Sequence, residues 1–300
     1  MSNYPFVSCL MPTFGRLPDR RRLVEEAVES FLRQALHYPA DRMELVVLND
    51  CAGQTIELPS DDWLIGVANL DPAWVRRAVV IHNTADRAPS LGEKRNRLTW
   101  LARGDILLPW DDDDISLPCR VLLSVAALYD MPRDEVQASG VGGHSLIHHY
   151  VNPGGYWFWN ETPDGLGNVN GAHGLQRPGS IGYGYTASAC TREAWQAVGG
   201  NPDTSHGEDA EMDRRLRSCR LGSRPGRMSA DAWWYIYRWG VADHLSGNPD
   251  QNAAWRDRGS RPHHQGRYAI YPHWEWPYEQ MVRRMAAVRQ QIDAEADPEG

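Results

Sequence analysis

Short apolar runs alternate with segments of helical pattern through the first 130 residues of this 300-residue chain. The apolar runs are Phe6–Met11, Met43–Leu48, Ala78–Ile81 and Ile106–Trp110, and the segments with helical spacing are Leu23–Leu36, Leu91–Ala102 and Leu117–Tyr129. Strands that alternate with helices pair in parallel and bury both faces of their sheet. We therefore predict a mostly parallel, doubly wound α/β fold with helices on both faces.

Polar residues follow three of these predicted strands. Pro12 and Thr13 follow the first, Asn49 and Asp50 the second, and the run Asp111–Asp114 the fourth. Ligands of open α/β sheets bind beyond the carboxyl ends of the strands. The sequence therefore predicts a ligand site where the three clusters meet.

The run of four aspartates is the most specific of these clusters. Adjacent carboxylates repel one another, so a run this dense needs either a bound cation or full solvation. Hard divalent cations take carboxylate oxygens as ligands, and Mg²⁺ and Mn²⁺ commonly bridge them to a diphosphate. The position directly after an apolar strand favours a Mn²⁺ or Mg²⁺ site over a solvated acidic loop.

Five segments resemble, in this order, the motifs of the GT-A glycosyltransferases, and among them the family 2-like enzymes. They are Val7–Arg16, Glu44–Asp50, Gly92–Asn96, Trp110–Asp114, which resembles the DXD motif, and Gly199-Gly200 with Gly207-Glu208-Asp209. The resemblance covers Val7–Gly247 and implies a single GT-A domain over residues 1–300. It implies a nucleotide-sugar-binding half at 1–130, an acceptor-side half at 131–277, and a C-terminal helix and tail at 278–300.

The resemblance also implies roles in the donor site. Asp50 would bind the base of the donor nucleotide, usually uracil, and Asp111 would contact the ribose or assist at the metal. Asp113 would ligate the metal directly, with Asp112 and Asp114 as alternates because the register within the run is open by one residue. The residues expected to bind the donor are Pro12, Thr13, Asp50, Lys94, Arg95, Asp111 and Asp112.

Sugar transfer needs charge neutralisation and removal of a proton. The nucleoside diphosphate departs as an anion, which a metal ion stabilises as a Lewis acid and to which Lys94 or Arg95 could add positive charge. The acceptor hydroxyl needs a base, for which the resemblance implies Asp209, with Glu208 helping to place it. A carboxylate base implies a single displacement with inversion at the anomeric carbon. The alternatives are a solvated helix face for the two cations and a favourable helix-dipole interaction for the two acids.

A late histidine is a candidate for a third metal ligand, as in several GT-A enzymes. His244 is the first candidate, and His206, His263 and His264 are weaker ones. A lone histidine is also common as a surface or packed residue. The predicted metal ligands are therefore Asp113, Asp111 and His244.

The second half of the chain offers two features for an acceptor site. Aromatic residues are dense in Tyr150–Tyr185, and their flat faces suit sugars and bases. Arginines recur in Arg214–Arg227 and Arg256–Arg267, where they could bind phosphates or form a solvated face partly paired with Glu211 and Asp213. A carbohydrate, a lipid, a protein and a modified nucleobase in DNA all stay open as acceptors.

Two other function classes stay open. A nucleotidyltransferase that makes a nucleotide sugar shares the strand order and the acidic metal site, but it normally has a glycine-rich basic loop that Pro12–Arg16 lacks. A non-catalytic carbohydrate-binding protein would use the tryptophans and would need neither Asp209 nor a metal.

Charge and cysteine usage indicate the compartment. The formal net charge is -8, and the five cysteines are scattered without Cys-x-x-Cys spacing, which fits reduced thiols in the cytoplasm. The N-terminus lacks the pattern of a signal peptide, and no stretch approaches about 18 consecutive apolar residues. We expect a cytoplasmic protein with no membrane span.

Overall fold

The computed structural model describes residues 3–14, 21–58, 61, 71–153, 156–161, 167–172, 185–225 and 235–239. The chain divides into two compact units. The first is formed by Met1–Tyr156 with His173–Tyr235, and the second by Trp157–Ala172 with Ile236–Gly300. The predicted halves at 1–130 and 131–277 stay predictions.

Strands and helices alternate along the first unit. The strands of the chain are β1 (Val7–Thr13), β2 (Met43–Asn49), β3 (Val79–Asn83), β4 (Ile106–Pro109), β5 (Ile115–Ser116), β6 (Tyr150–Asn152), β7 (Tyr156–Glu161), β8 (Gly167–Ala172), β9 (Ala189–Thr191), β10 (Ser223–Pro225) and β11 (Tyr235–Trp239). The α-helices are α1 (Arg21–Leu32), α2 (Pro72–Ala78), α3 (Leu91–Leu101), α4 (Arg120–Tyr129), α5 (Arg133–Ser139), α6 (Arg192–Ala197) and α7 (Glu208–Arg217). In the second unit, β11 runs parallel to β7.

The central sheet of the first unit has the strand order β10-β6-β9-β4-β1-β2-β3. The pairs β1/β2, β1/β4 and β2/β3 are parallel, and β9 is antiparallel to both β4 and β6. Thr13 pairs with Asn49, so β1 and β2 end in register, whereas β4 ends earlier because Pro109 pairs with Leu10. The four aspartates after β4 therefore run alongside the end of β1.

Side chains of β1 pack alternately on the two faces of the sheet. On one face, Val7, Cys9 and Met11 join a cluster that includes residues of α1 and α4, such as Phe31 and Val125. On the other face, the cluster contains Leu10, Leu98 of α3, Trp195 of α6, and Met212 and Leu216 of α7. Each fully buried side chain of this size contributes roughly 1.5–3 kcal/mol. Apolar residues on both faces require helices on both, so the predicted fold class is confirmed.

The predicted strands and helices of the first half are confirmed, with differences at their ends. The helix expected over Leu23–Leu36 ends at Leu32 and continues as a 3₁₀ turn, Arg33–Leu36. The buried amide of Gln34 donates to the carbonyl of Ser30 at 2.8 Å and to that of Leu117 at 2.9 Å. This side chain competes for the carbonyl that the next helical turn would use.

Two short helices, α2 and α5, and the seven strands β5 to β11 are additions to the prediction. Helix α2 begins after Asp71, whose side chain accepts a hydrogen bond from Ala73 N at 2.9 Å, with Pro72 at the first helical position. Helix α5 and strand β9 are too short for their apolar residues to show a recognisable periodicity in the sequence. The predicted C-terminal helix lies outside the described residues.

Candidate active site

The carboxyl ends of β1, β2 and β4 meet at one edge of the central sheet. Thr13 ends β1, Asp50 follows β2, and Asp111–Asp114, here called the acidic turn, follows β4 by one residue. Helix α3 and the start of α7 bring cations and further carboxylates to this edge. The structure thus brings together most of the residues that the sequence singles out.

Burial alternates along the acidic turn. Asp112 and Asp114 are buried, and each accepts a hydrogen bond from a hydroxyl group, Asp112 from Thr13 Oγ1 at 2.5 Å and Asp114 from the phenol of Tyr235. Asp111 and Asp113 keep part of their surface exposed. This alternation supports the register in which Asp111 and Asp113 are accessible to a ligand while the other two carboxylates hold the turn in place.

Lys94 is an internal residue of the site. Its Nζ atom donates to Asp50 Oδ1 and to the carbonyl of Thr13, both at 2.5 Å, and the side chains of Lys94 and Asp50 are 6% and 5% exposed. Burial lowers the pKa of Lys94, against the opposing effect of the hydrogen bond to Asp50. Asp50 Oδ2 also accepts from Ala88 N at 3.0 Å. Lys94 therefore joins the ends of β1 and β2. The sequence alone suggests instead that this lysine contacts the diphosphate of the donor.

Arg95 links the acidic turn to the start of α7. Its Nη2 atom donates to Asp111 Oδ1 at 3.0 Å, and its Nε atom lies 3.9 Å from Glu208 Oε1. Burial opposes the charge of Arg95, but the carboxylates of Asp111 and Glu208 outweigh it and raise the pKa. The guanidinium also lies over the ring of Tyr185, 5.8 Å from its centroid. Arg95 is buried and thus acts between carboxylates rather than on a solvated face.

Glu208 and Asp209 open helix α7. Gly207 precedes them with φ of +70°, a left-handed conformation that glycine adopts without strain. Burial raises the pKa of Glu208 to about 7, with Arg95 opposing and Asp209 adding to the shift. Burial also raises the pKa of Asp209, whose Oδ1 atom accepts from Ala210 N at 2.7 Å. Both carboxyls therefore titrate closer to neutrality than an exposed acid, as a general base requires.

The loop before α7 is fixed against helix α3. Gly92 N donates to the carbonyl of Thr204 at 3.1 Å, and Asn96 Oδ1 accepts from Asn201 N at 2.8 Å. A Cβ atom on Gly92 would lie 1.7 Å from the carbonyl oxygen of Pro202, so only glycine permits this approach. The glycine of the Gly92–Asn96 motif thus sets where the Glu208-Asp209 pair sits.

Arg120 is a site residue that sequence reasoning missed. It is fully buried, and its Nη2 atom donates to the carbonyls of Pro109 at 2.6 Å and Thr186 at 2.5 Å. Its guanidinium lies over the rings of Trp110 and Tyr235, at 4.9 Å and 5.2 Å from their centroids. Arg120 holds the end of β4 directly before the acidic turn. The available signal was an arginine at the start of an otherwise apolar helix.

The remaining predicted residues divide between the described and undescribed parts of the chain. Pro12 is buried within β1, where it pairs with Leu48, and His206 is exposed. His244, His263 and His264 lie outside the described residues. The same holds for Arg227 and for the arginines of Arg256–Arg267, and within the aromatic region only the short ranges given above are described.

The arginines at the end of α7 are paired within the helix. Arg214 Nη2 and Arg215 Nε donate to Glu211 Oε1 at 2.6 Å and 2.8 Å, and Arg217 Nε donates to Asp213 Oδ2 at 2.5 Å. This matches the alternative of a partly paired solvated face. It gives no support to a phosphate-binding face at these three positions.

The residues of the acidic turn suit a hard divalent cation. Mg²⁺ is usually held by one or two carboxylates together with substrate phosphates and water, and Asp111 and Asp113 can provide accessible carboxylates. In the described part of the chain, no group of three or more His, Cys, Asp and Glu side chains is arranged to hold a metal by itself.

None of the described helices is both long and apolar enough to cross a membrane.

Comparisons with known proteins found similarity only among solved structures. No protein-family model and no curated protein sequence matches the chain. Similar structures include S. aureus TarS 1-349 in complex with UDP-GlcNAc, at 16% identity and a TM-score of 0.46, over 81% of this chain and 61% of that one. Another is the mannosyltransferase PcManGT from Pyrobaculum calidifontis in complex with GDP-Man and Mn²⁺, at 15% identity and a TM-score of 0.43, over 97% of this chain and 76% of that one.

The chain spans less than two thirds of the length of the TarS structure. Because the identities and TM-scores are low, the similarities identify neither a donor, nor a metal, nor an acceptor for this chain.

Proposed function

We propose that the chain is a metal-dependent glycosyltransferase that moves a sugar from a nucleoside-diphosphate donor, a UDP-sugar, to an acceptor hydroxyl. The proposal places it among the hexosyltransferase-type enzymes and in the cytoplasm. The acceptor stays open among carbohydrate, lipid, protein and a base in DNA. Asp111 and Asp113 would hold Mn²⁺ or Mg²⁺.

The observation that carries this proposal is that two clusters of carboxylates, the acidic turn and the Glu208-Asp209 pair, are linked by one arginine at the same edge of the sheet. Arg95 hydrogen-bonds to Asp111 of the acidic turn and lies near Glu208 at the start of α7. A cation-binding turn and a second, separate acidic pair are what a transferase needs for its leaving group and its acceptor. A carbohydrate-binding module needs neither.

Each part of the site has a chemical task in this proposal. The metal would supply Lewis-acid stabilisation of the departing diphosphate. Asp50, held by Lys94 and Ala88 N, would receive the nucleobase at the end of β2. Thr13 would keep Asp112 turned inward and thereby leave Asp113 accessible.

Asp209 would take the proton from the acceptor hydroxyl. The Oδ1 atom of Asp209 is occupied by Ala210 N, which fixes the carboxylate, and its raised pKa makes it a stronger base than an exposed aspartate. Direct attack by the deprotonated hydroxyl on the anomeric carbon inverts the configuration there. Glu208 would orient the pair through its contact with Arg95.

Calorimetric titration of UDP into the protein tests the donor site, first with Mn²⁺ and then with EDTA. We expect binding that requires the metal and that disappears in Asp113→Ala. Asp134→Ala is the matched control, because the Asp134 side chain is 85% exposed on α5 and pairs only with Arg133 in the described structure. Metal-independent UDP binding, or equal binding by Asp113→Ala, would contradict the proposal.

Turnover separates the proposed transferase from the two alternatives. Asp209→Asn should keep UDP binding and lose about 10²–10⁴-fold in sugar release from a UDP-sugar, the range typical for loss of a general base. A binding protein would keep its function in that variant. A nucleotidyltransferase would instead form a nucleotide sugar from a nucleoside triphosphate and a sugar phosphate. Incubation with these two substrates, followed by detection of the nucleotide sugar, tests that alternative.

A further inference from the structure

The two cations that the sequence suggests for the diphosphate are paired within the protein. The ammonium of Lys94 is engaged by Asp50 and by the Thr13 carbonyl, and its side chain is 6% exposed. Arg95 is equally buried and lies between Asp111 and Glu208. Both cations offset charges of the protein itself, so any positive charge that the diphosphate receives in addition to the proposed metal ion has to come from another residue.

Arg87 is an exposed arginine near the carboxyl ends of β1 and β2. Its Cζ atom lies 4.8 Å from the centroid of the Phe14 ring, and Lys94 Nζ lies 5.9 Å from the same centroid. Phe14 directly follows Thr13, the last residue of β1. In the described structure, no carboxylate forms an ion pair with Arg87, which is therefore available to an anion from solution.

The loop that carries Arg87 is anchored on both sides of it. On one side, Arg97 Nη1 of α3 donates to the carbonyl of Asp86 at 3.0 Å and to its carboxylate at 3.1 Å. On the other side, Ala88 N donates to Asp50 Oδ2 at 3.0 Å. The position of Arg87 is thus fixed relative to the residue expected to receive the nucleobase.

We propose that Arg87 binds the diphosphate of the nucleotide donor, in the role that the sequence suggests for Lys94 and Arg95. This inference rests on the proposed function, because it assigns a residue of the same donor site. A guanidinium presents a planar fork of donors that matches phosphate oxygens, and it keeps its charge at all physiological pH values. Stacking on Phe14 orients the fork without using its hydrogen-bond donors.

The charges around Lys94 are consistent with this role. Burial is the main cause of its lowered pKa, and Asp50, Asp112 and Arg87 all act on the same ammonium group electrostatically. The guanidinium of Arg87 is therefore close enough to the ammonium group of Lys94 for the two positive charges to repel each other. A diphosphate bound beside Arg87 would relieve that repulsion.

Titration of three ligands into wild type and Arg87→Ala tests the inference. The ligands are UDP, uridine and inorganic pyrophosphate, all in the presence of Mn²⁺. We expect Arg87→Ala to weaken UDP and pyrophosphate by about tenfold, the value of one charge-assisted hydrogen bond at an accessible site, and to leave uridine unchanged. Arg87→Lys should recover part of the loss. Arg77→Ala is the control, because Arg77 is an exposed arginine of α2 before the amino end of β3.

The outcomes separate this inference from the proposed function. If wild type binds UDP and Arg87→Ala binds it equally well, Arg87 is not a diphosphate ligand and the proposed function stands. An equal loss of affinity for uridine and UDP in Arg87→Ala would also overturn the inference. Arg87 would then contact the nucleobase or stabilise the loop, and would not bind the diphosphate. If wild type binds neither UDP nor pyrophosphate, both the proposed function and the role of Arg87 are wrong.

Discussion

The ammonium group of Lys94 lies 2.5 Å from Oδ1 of Asp50, and the two side chains are among the most buried charges at the sheet edge. Removal of one member of a buried ion pair leaves the other charge without compensation. We therefore expect Lys94→Met to lower the free energy of unfolding by about 3–5 kcal/mol, measured by urea denaturation. UDP binding should fall with it, because Asp50 loses its anchor.

An exposed ion pair provides the control for this variant. Arg76 pairs with Asp61, and both side chains are more than half exposed. Such pairs contribute about 0–1 kcal/mol, so Arg76→Met should have little effect. The double variant Lys94→Met with Asp50→Asn should recover part of the lost stability, because no unpaired charge stays buried. Equal stability of Lys94→Met and Arg76→Met would show that the buried pair does not support the fold.

Neighbouring aspartates of the acidic turn should respond differently to the same change. Asp112→Ala removes the acceptor of the Thr13 hydroxyl in a buried position, so we expect a loss of about 1–3 kcal/mol in stability in EDTA. Asp113→Ala, at a partly exposed position, should lower that stability less than Asp112→Ala and should weaken Mn²⁺ binding. Thermal unfolding with and without Mn²⁺ measures both effects. The register would be wrong if Asp113→Ala unfolded in EDTA and Asp112→Ala kept its stability while losing Mn²⁺ binding.

The sequence predicts the sheet well because its pattern is local. Each central strand is a short apolar run followed by polar residues, as in Ile106–Trp110 before the acidic turn, and the parallel sheet follows from the alternation with helices. Ligand-binding residues of such sheets lie at or beyond the carboxyl ends of the strands, where Thr13 ends β1 and Asp50 and Asp111 come after β2 and β4. Their position at one edge of the sheet is therefore predictable from the order of residues along the chain.

Burial of charge could not be predicted in the same way. Lys94, Arg95 and Arg120 are ordinary polar residues by pattern, and only the tertiary structure shows that Asp50, Asp111 and backbone carbonyls surround them. The pairing partners lie far apart in sequence, so neither spacing nor propensity reports them. The internal role of Lys94 and the presence of Arg120 beneath the acidic turn are results of packing.

Glu208 should make stability depend on pH in a defined range. Its pKa rises from the ordinary value of 4.5 to about 7, mainly through burial, so the folded protein binds this proton more tightly than the unfolded chain. The resulting stabilisation is complete below about pH 4.5 and is lost as the pH rises through about 7. Relative to Glu208→Gln, wild type should lose on the order of 3 kcal/mol over this interval.

Urea denaturation in EDTA across pH 4.5–7.5 measures that difference. Glu57→Gln, at an exposed position, reports the background change that any loss of a glutamate produces. A wild-type curve parallel to that of Glu208→Gln at every pH would mean that Glu208 stays ionised in the folded protein, held by Arg95.

Gly92 should be irreplaceable because the loop before α7 lies against it. A Cβ atom there would meet the carbonyl oxygen of Pro202 at 1.7 Å, and backbone cannot move away as a flexible side chain can. Gly92→Ala should therefore cost about 1–3 kcal/mol of stability and reduce sugar release from a UDP-sugar, since the displaced loop leads directly to Asp209. Glu93→Ala, which removes only a partly exposed ion pair with Arg97, should change stability by about 0–1 kcal/mol and leave sugar release intact. If Gly92→Ala matched wild type in both measurements, contact with helix α3 would not set the position of the proposed base.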